Sequence, residues 1–182
     1  LYRNLYDSVT RLMRPRMSNG SWLKPFITDK YTPHYTESNA WQYSCCSVHD
    51  MYGWKDLLGG NEKAIQWMDS FFDTTGKKQH RMIGHYEQGN EFAHHVAYSY
   101  AFFGQPWKTQ ELIHRIFSVN FSDKPDGLPG NDDCGQMSAW IVMSAIGMYP
   151  FSPGLPYYVF GSPLFQQVDI HLENGNTFTL SA

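Results

Sequence analysis

The spacing of apolar residues changes once along the chain, near Pro150. Before that point it is helical, and Leu1, Leu5, Val9 and Leu12 predict an amphipathic helix that ends near Pro15. After it, apolar and polar residues alternate in short runs, as they do in strands. Further helices are predicted over residues 40–46, 51–58, 61–72, 91–103, 106–117 and 132–148, and strands over 157–160, 168–172 and 178–180.

The predicted helix over residues 132–148 is apolar on nearly every face, which is typical of a buried helix. Asp132 and Asp133 stand where the preceding loop enters it. The positive end of a helix stabilises carboxylates. The two acids therefore either cap the helix or take part in chemistry.

Three long polar loops, 15–36, 73–90 and 120–131, separate the predicted helices. Alternation of buried and exposed helices, with polar loops at one rim, predicts a mainly α fold: part of an (α/α)₆ toroid over residues 1–150. Residues 151–182 are predicted to begin a β-sandwich domain, with a hairpin at Asn174-Gly175. Two or three strands are not stable alone, so we expect a longer polypeptide.

Composition narrows the possible functions. A net charge of −3 gives no indication of a nucleic-acid partner, and no apolar run is long enough to span a membrane. The three cysteines lack C-x-x-C spacing, which disfavours a zinc ribbon. The 12 Tyr, 12 Phe and 6 Trp either build the core or stack on sugar rings.

Glu37 and the aspartate pair are the main catalytic candidates. Glycoside hydrolysis needs one protonated carboxyl group and one ionised carboxylate. Glu37 has three aromatic neighbours in sequence, Tyr35, Trp41 and Tyr43, and we expect them to desolvate it and keep it protonated. Asp133, at the start of a helix, should stay ionised. The alternative is that all three acids only cap helices.

A second cluster lies at residues 88–91, where Gln88, Asn90 and Glu91 offer hard oxygen donors without a thiolate. Such a set suits Ca²⁺ better than zinc. The alternative is an Asn N-cap followed by a first-turn Glu. His94 and His95 do not complete an H-E-x-x-H motif and are expected to be hydrogen-bonded histidines rather than ligands.

Ordered motifs over most of the chain resemble glycoside hydrolase family 92, the calcium-dependent exo-acting α-mannosidases. They lie at residues 37–43, 88–91, 104–109, 130–140 and 161–163. The resemblance implies that the enzyme removes terminal mannose from mannan or N-glycans, with α-1,2 linkages as the first expectation. It also implies a secreted, periplasmic or cell-surface location, and an N-terminal β-sandwich and remaining toroid in the same polypeptide.

The resemblance also implies residue roles. Glu37 matches the general acid and Asp133 the general base of an inverting reaction, with Asp132 as a possible assistant. Calcium would be held by Asn90 and Glu91, with a contribution around Gln88. The expected substrate-binding residues are Trp41, His85, Glu87 and Asn131. The rival interpretations are a non-catalytic glycan-binding or scaffold fragment and a different toroid enzyme, such as a polysaccharide lyase.

Overall fold

The computed structural model describes residues 1–73, 75 and 82–182; part of the predicted polar loop 73–90 lies outside them. The α-helices are α1 (Ala40–Tyr43), α2 (Met51–Leu58), α3 (Asn61–Phe72), α4 (Pro106–Asn120) and α5 (Gln136–Ile146), and 3₁₀ helices span Tyr2–Leu5, Glu91–Ala93 and Val96–Phe103. The strands are β1 (Tyr6–Asp7), β2 (Leu12–Met13), β3 (Met82–Ile83), β4 (Tyr86–Glu87), β5 (Met148–Tyr149), β6 (Val159–Phe160), β7 (Gln167–His171) and β8 (Thr177–Ser181).

The described residues form a mainly helical structure with small antiparallel strand pairs, β1–β2, β3–β4, β5–β6 and β7–β8. The 3₁₀ helix Val96–Phe103 is buried along most of its length and packs against α2, α3 and α4. Among the described residues, no helix is both long enough and apolar enough to cross a membrane. The fold class predicted from sequence is thus confirmed at the level of a mainly helical chain with a β-rich end.

The predicted N-terminal helix is wrong. Residues 6–13 instead form the β1–β2 hairpin, in which Tyr6 pairs with Met13. Asp7 organises the turn, since its Oδ1 accepts a hydrogen bond from the Val9 amide at 3.0 Å and its Oδ2 accepts one from Arg14 at 3.0 Å. Arg11 takes a left-handed backbone, with φ 59°. These local hydrogen bonds compete with helix formation and override the apolar spacing.

The bounds of α2 and α3 and the start of α4 agree with the sequence pattern, whereas α1 ends at Tyr43 rather than at residue 46 and α5 spans Gln136–Ile146 rather than 132–148. Asp50 caps α2 by accepting a hydrogen bond from the Gly53 amide at 2.8 Å, and Gly59 ends that helix with φ 98°. Pro106 occupies the first turn of α4. The predicted continuous helix over 91–103 is instead two 3₁₀ helices, and Gly104 ends the second in a left-handed conformation, as predicted.

Helix α5 is only partly buried, which corrects the prediction of a helix enclosed on all sides. Met137, Trp140, Ser144 and Ala145 face the core, whereas 56% of Val142 is exposed. The helix therefore has one packed face and one apolar face open to solvent in this chain. The closed toroid remains a prediction.

The residues after Pro150 remain tied to the helical part before they reach the final hairpin. Phe151 is buried, and Ser152 Oγ donates a hydrogen bond to the Val48 carbonyl at 2.6 Å. The Leu164 amide donates to the Ala145 carbonyl at 2.9 Å. The hairpin β7–β8 then forms around residues 172–176, confirming the predicted turn. The proposed boundary between residues 150 and 151 remains a prediction.

Candidate active site

Three segments that are distant in sequence meet at one place. The Asn90 side-chain nitrogen donates a hydrogen bond to the Glu37 carbonyl oxygen at 2.7 Å, which joins the segment before α1 to the 88–91 turn. The same turn touches the loop before α5, since a Cβ added to Gly130 would lie 2.7 Å from the Gly89 carbonyl oxygen. The structure therefore brings together the backbone segments that carry Glu37, Glu91 and Asp133.

Asp132 and Asp133 have different environments. Asp132 Oδ1 accepts a hydrogen bond from the Ser138 amide at 2.9 Å, and its carbonyl oxygen accepts from the Gly135 and Met137 amides, both at 3.2 Å. Asp132 thus stabilises the first turn of α5. Asp133 is exposed and takes a left-handed backbone with φ 45°, and its carboxyl group lies beside that of Glu91.

The pKa of Asp133 is raised above the ordinary value of an aspartate. The hydrogen bond with Glu91 is the largest cause, followed by partial desolvation and by repulsion from Glu91 and Asp132. Helix α5 begins only at Gln136, so Asp133 lies outside its first turn, where the helix dipole acts most strongly. Carboxyl groups this close favour a shared proton or an added cation.

Glu37 is exposed, and the predicted aromatic enclosure is not observed. Tyr35 and Tyr43 pack on each other, with ring centroids 5.2 Å apart, and both hydroxyls donate to main-chain carbonyls. Trp41 stacks on His85 instead. The burial expected for Glu37 from its sequence neighbours is therefore wrong in this chain, because their rings are engaged elsewhere.

Glu37 and Asp133 share an unusual backbone conformation. Glu37 has φ 60° and Asp133 has φ 45°, in the left-handed region that residues with a Cβ rarely adopt. Each such residue costs free energy and persists only where its surroundings fix it. Strain of this kind is enriched at functional sites, but Arg11 adopts the same conformation in the β1–β2 hairpin, so the backbone angle alone does not separate function from structure.

The predicted substrate-binding residues lie in the same region. The rings of Trp41 and His85 stack with centroids 4.4 Å apart and planes 10° from parallel. Glu87, on β4, accepts a hydrogen bond from the Tyr31 hydroxyl, and Asn131 is exposed. A cavity of about 370 Å³ lies beside them, lined by Asp29, Lys30, Tyr31, Asn39, Met82, Gly84 and His85.

Two of the three predicted calcium ligands fit a hard cation. Asn90 donates its nitrogen to Glu37, which leaves the amide oxygen as a donor, and the Glu91 carboxylate faces that of Asp133. Gln88 fits less well, because its side-chain oxygen accepts from the Tyr86 hydroxyl at 2.5 Å. Among the described residues, no three His, Cys, Asp or Glu side chains are grouped for metal binding.

His94 connects the 88–91 turn to α5, a role that sequence reasoning missed. Its Nδ1 is 3.3 Å from Gln136 Nε2, which can only donate, so Nε2 carries the proton and donates to the Gln88 carbonyl at 3.0 Å. Burial lowers the pKa of His94 to about 4, which keeps the ring neutral. His95 bonds to the Cys45 carbonyl, so both histidines are hydrogen-bonded as predicted.

Comparison with known proteins identifies the family. The family model for the glycosyl hydrolase family 92 catalytic domain matches residues 1–182. The chain belongs to glycosyl hydrolase family 92. This confirms the resemblance that the ordered motifs had indicated.

Solved structures from this family superpose closely on the chain. A family 92 α-mannosidase from Bacteroides thetaiotaomicron is 36% identical with a TM-score of 0.89, covering 99% of this chain and 24% of that one. An inverting mannosidase of the family from the same organism is 35% identical with a TM-score of 0.88, covering 100% of this chain and 27% of that one.

A curated relative from the fungus Arthroderma benhamiae is named an uncharacterized secreted glycosidase. It is 29% identical over 180 residues, which cover 92% of this chain and 22% of the relative. The chain therefore spans about a quarter of the length of the relatives that it matches.

Proposed function

We propose that this chain carries the acid, the base and part of the metal and sugar sites of an exo-acting α-mannosidase. The family supports this, as do the mannosidase names of its structural relatives, one of which was solved with mannoimidazole. The substrate is a terminal α-linked mannose of mannan or an N-glycan, with α-1,2 as the proposed linkage. The observation that carries the proposal is that the segments of Glu37, Glu91 and Asp133 meet, through the hydrogen bond from Asn90 to the Glu37 carbonyl and the close contact between Gly89 and Gly130.

The proposed reaction inverts the anomeric carbon. Glu37 protonates the glycosidic oxygen as the bond to the leaving sugar breaks. Asp133 removes a proton from a water molecule that attacks from the opposite face, and Asp132 holds the loop that positions it. Trp41, His85, Glu87 and Asn131 bind the sugars. The Glu91 carboxyl group raises the pKa of Asp133, and a cation beside Glu91 would lower it and so favour the ionised form that acts as a base.

Calcium is the proposed cofactor, held by Asn90 and Glu91 with a contribution around Gln88. When bound, such an ion engages vicinal sugar hydroxyls and offsets the repulsion between Glu91 and Asp133. The Glu91 carboxylate and the amide oxygen of Asn90 are hard donors, which suits this ion.

The wider architecture is part of the proposal. The helical part would belong to an (α/α)₆ toroid, the final strands to a β-sandwich, and further parts of the same polypeptide would complete the sugar site. We propose a secreted, periplasmic or cell-surface location, and the name of the fungal relative supports secretion.

The decisive experiment follows mannose release from α-1,2-mannobiose by the protein at its full natural length. Proton NMR at early times should show β-mannose, the inverted product. Glu37→Gln should lower kcat roughly 10²–10⁴-fold, the range for loss of a general acid. Glu173→Gln, an exposed acid in the final hairpin, is the matched control and should leave the rate unchanged.

Metal dependence is tested on the same assay. A calcium chelator should abolish mannose release, and added Ca²⁺ should restore it. Glycan binding without turnover by the wild-type protein would overturn the enzymatic proposal in favour of a glycan-binding or scaffold role. An unsaturated product that absorbs ultraviolet light would instead indicate a lyase.

A further inference from the structure

Tyr31 makes a contact within the candidate site that the sequence motifs do not include. Its hydroxyl donates a hydrogen bond to Glu87 Oε2, across 56 positions of sequence. Tyr31 therefore links the long loop before α1 to the turn that carries the predicted sugar-binding and metal-binding residues.

The contact fixes one carboxylate oxygen and leaves the other available. A hydrogen bond from a tyrosine hydroxyl to an ionised carboxylate is charge-assisted and restricts the rotation of the carboxylate. With Oε2 of Glu87 engaged, its Oε1 can accept from a ligand hydroxyl in one defined direction. Such preorganisation reduces the ordering cost of binding.

The position of this pair suggests which sugar it serves. Glu87 is three residues from Asn90, whose side chain holds the backbone of Glu37, the proposed proton donor. The proton goes to the oxygen that the leaving sugar keeps, so the leaving sugar lies on the side of Glu37. The cavity of about 370 Å³, lined partly by residues 29–31, adds space beside Tyr31.

We propose that Tyr31 is a positioning residue that orients Glu87 for recognition of the leaving sugar. The proposal rests on the proposed mannosidase function. It assigns the 29–31 segment to substrate selectivity rather than to the chemistry of bond cleavage. Tyr31 therefore matters for a disaccharide and not for a substrate whose leaving group is not a sugar.

The test compares two substrates in the protein at its full natural length. For α-1,2-mannobiose, Tyr31→Phe should lower kcat/KM about tenfold, the scale for one hydrogen bond to a charged group. For 4-nitrophenyl α-mannoside, which has no leaving sugar, kcat/KM should stay within about twofold of wild type. A merely structural role for Tyr31 would lower both values together, and this outcome would overturn the proposal.

A double-mutant cycle tests whether Tyr31 acts through Glu87. The variant Tyr31→Phe/Glu87→Ala should be no slower on mannobiose than Glu87→Ala alone, because without an acceptor at position 87 the Tyr31 hydroxyl has no side chain to orient. Fully additive losses would overturn the proposal, since they would show that the two residues act independently.

A matched control removes the same type of bond elsewhere. The Tyr2 hydroxyl donates to Asp50 Oδ2 at 2.7 Å, away from the site, and Tyr2→Phe should leave both substrates unaffected. Unchanged mannobiose turnover by Tyr31→Phe would also overturn the proposed role. Failure of the wild-type protein to hydrolyse either substrate would overturn the mannosidase function itself, and this role with it.

Discussion

At the residue scale, two adjacent aspartates have different environments. The Asp132 carboxylate accepts a hydrogen bond from the Ser138 amide and stabilises the start of α5. Asp133, in a left-handed conformation, turns to Glu91. The two alternatives posed by the sequence, capping or chemistry, can therefore be tested separately at the two residues.

This difference in environment predicts opposite effects of two substitutions. Asp132→Ala should lower the free energy of unfolding by about 0.5–2 kcal/mol, as for loss of a helix-capping side chain. Asp133→Asn should leave the stability unchanged or raise it, because it removes a carboxylate that Glu91 repels. Urea unfolding followed by circular dichroism would measure both.

Mannose release by the protein at its full natural length is the second measurement on these two residues. Asp132→Asn keeps an acceptor oxygen for the Ser138 amide and should retain mannose release, whereas Asp133→Asn should abolish it. Loss of turnover in Asp132→Asn, with stability intact, would contradict the assignment of Asp132 to structure alone.

At the element scale, the site depends on two loops whose backbones touch. Neither Gly89 nor Gly130 leaves room for a side chain, since a Cβ on Gly89 would lie 2.8 Å from the Pro129 carbonyl oxygen. His94 adds hydrogen bonds on the other side of the 88–91 turn, to the Gln88 carbonyl and to Gln136 on α5. The spacing of Glu91 and Asp133 is therefore set by backbone packing rather than by the acids themselves.

Gly130→Ala should separate these loops and lower kcat roughly 10²-fold, the scale expected when a reacting group is displaced by about 1 Å. The control is Gly20→Ala, where no atom lies within 4 Å of the added Cβ but φ is 82°. Gly20→Ala places a Cβ on a left-handed backbone but creates no steric clash, so the variant should retain activity. Equal activity in the two variants would show that the loop contact does not set the geometry.

At the scale of the whole molecule, the segment between Pro150 and the final hairpin belongs structurally with the helices. Phe151 is 1% exposed and packs on Phe102, with ring centroids 4.5 Å apart. Main-chain hydrogen bonds join Gly161 to Gly147 and Leu164 to Ala145, both at 2.9 Å. By contrast, most residues of β7 and β8 are exposed.

Two truncations of the 182-residue chain should therefore have different effects on its thermal unfolding. Removal of residues 167–182 should lower Tm by only a few degrees, because little buried surface is lost and about 1 kcal/mol shifts Tm by about 2–4 °C at this size. Removal of residues 151–182 should prevent cooperative unfolding, because it exposes the packing surface of Phe151. Thermal scans by circular dichroism would separate the cases, and equal melting curves would support a boundary at residue 150.

The sequence by itself determined the features that depend on neighbours along the chain. The periodicity of α2, α3 and α4, the glycines that end helices, the Asn174-Gly175 turn and the ordered family motifs all follow from local hydrogen bonding and side-chain spacing. These signals lie within a few residues of each other. A single sequence therefore displays them without any knowledge of the fold.

Only the tertiary structure decided the contacts between distant segments. Sequence spacing predicted a helix where Asp7 organises a hairpin. It also predicted that aromatic rings enclose Glu37, whereas Trp41 stacks on His85. It gave no indication that the Tyr31 hydroxyl bonds to Glu87. Each of these depends on which loops meet after the helices pack. That outcome is set by the total burial of apolar surface, a property of the whole chain that no local pattern records.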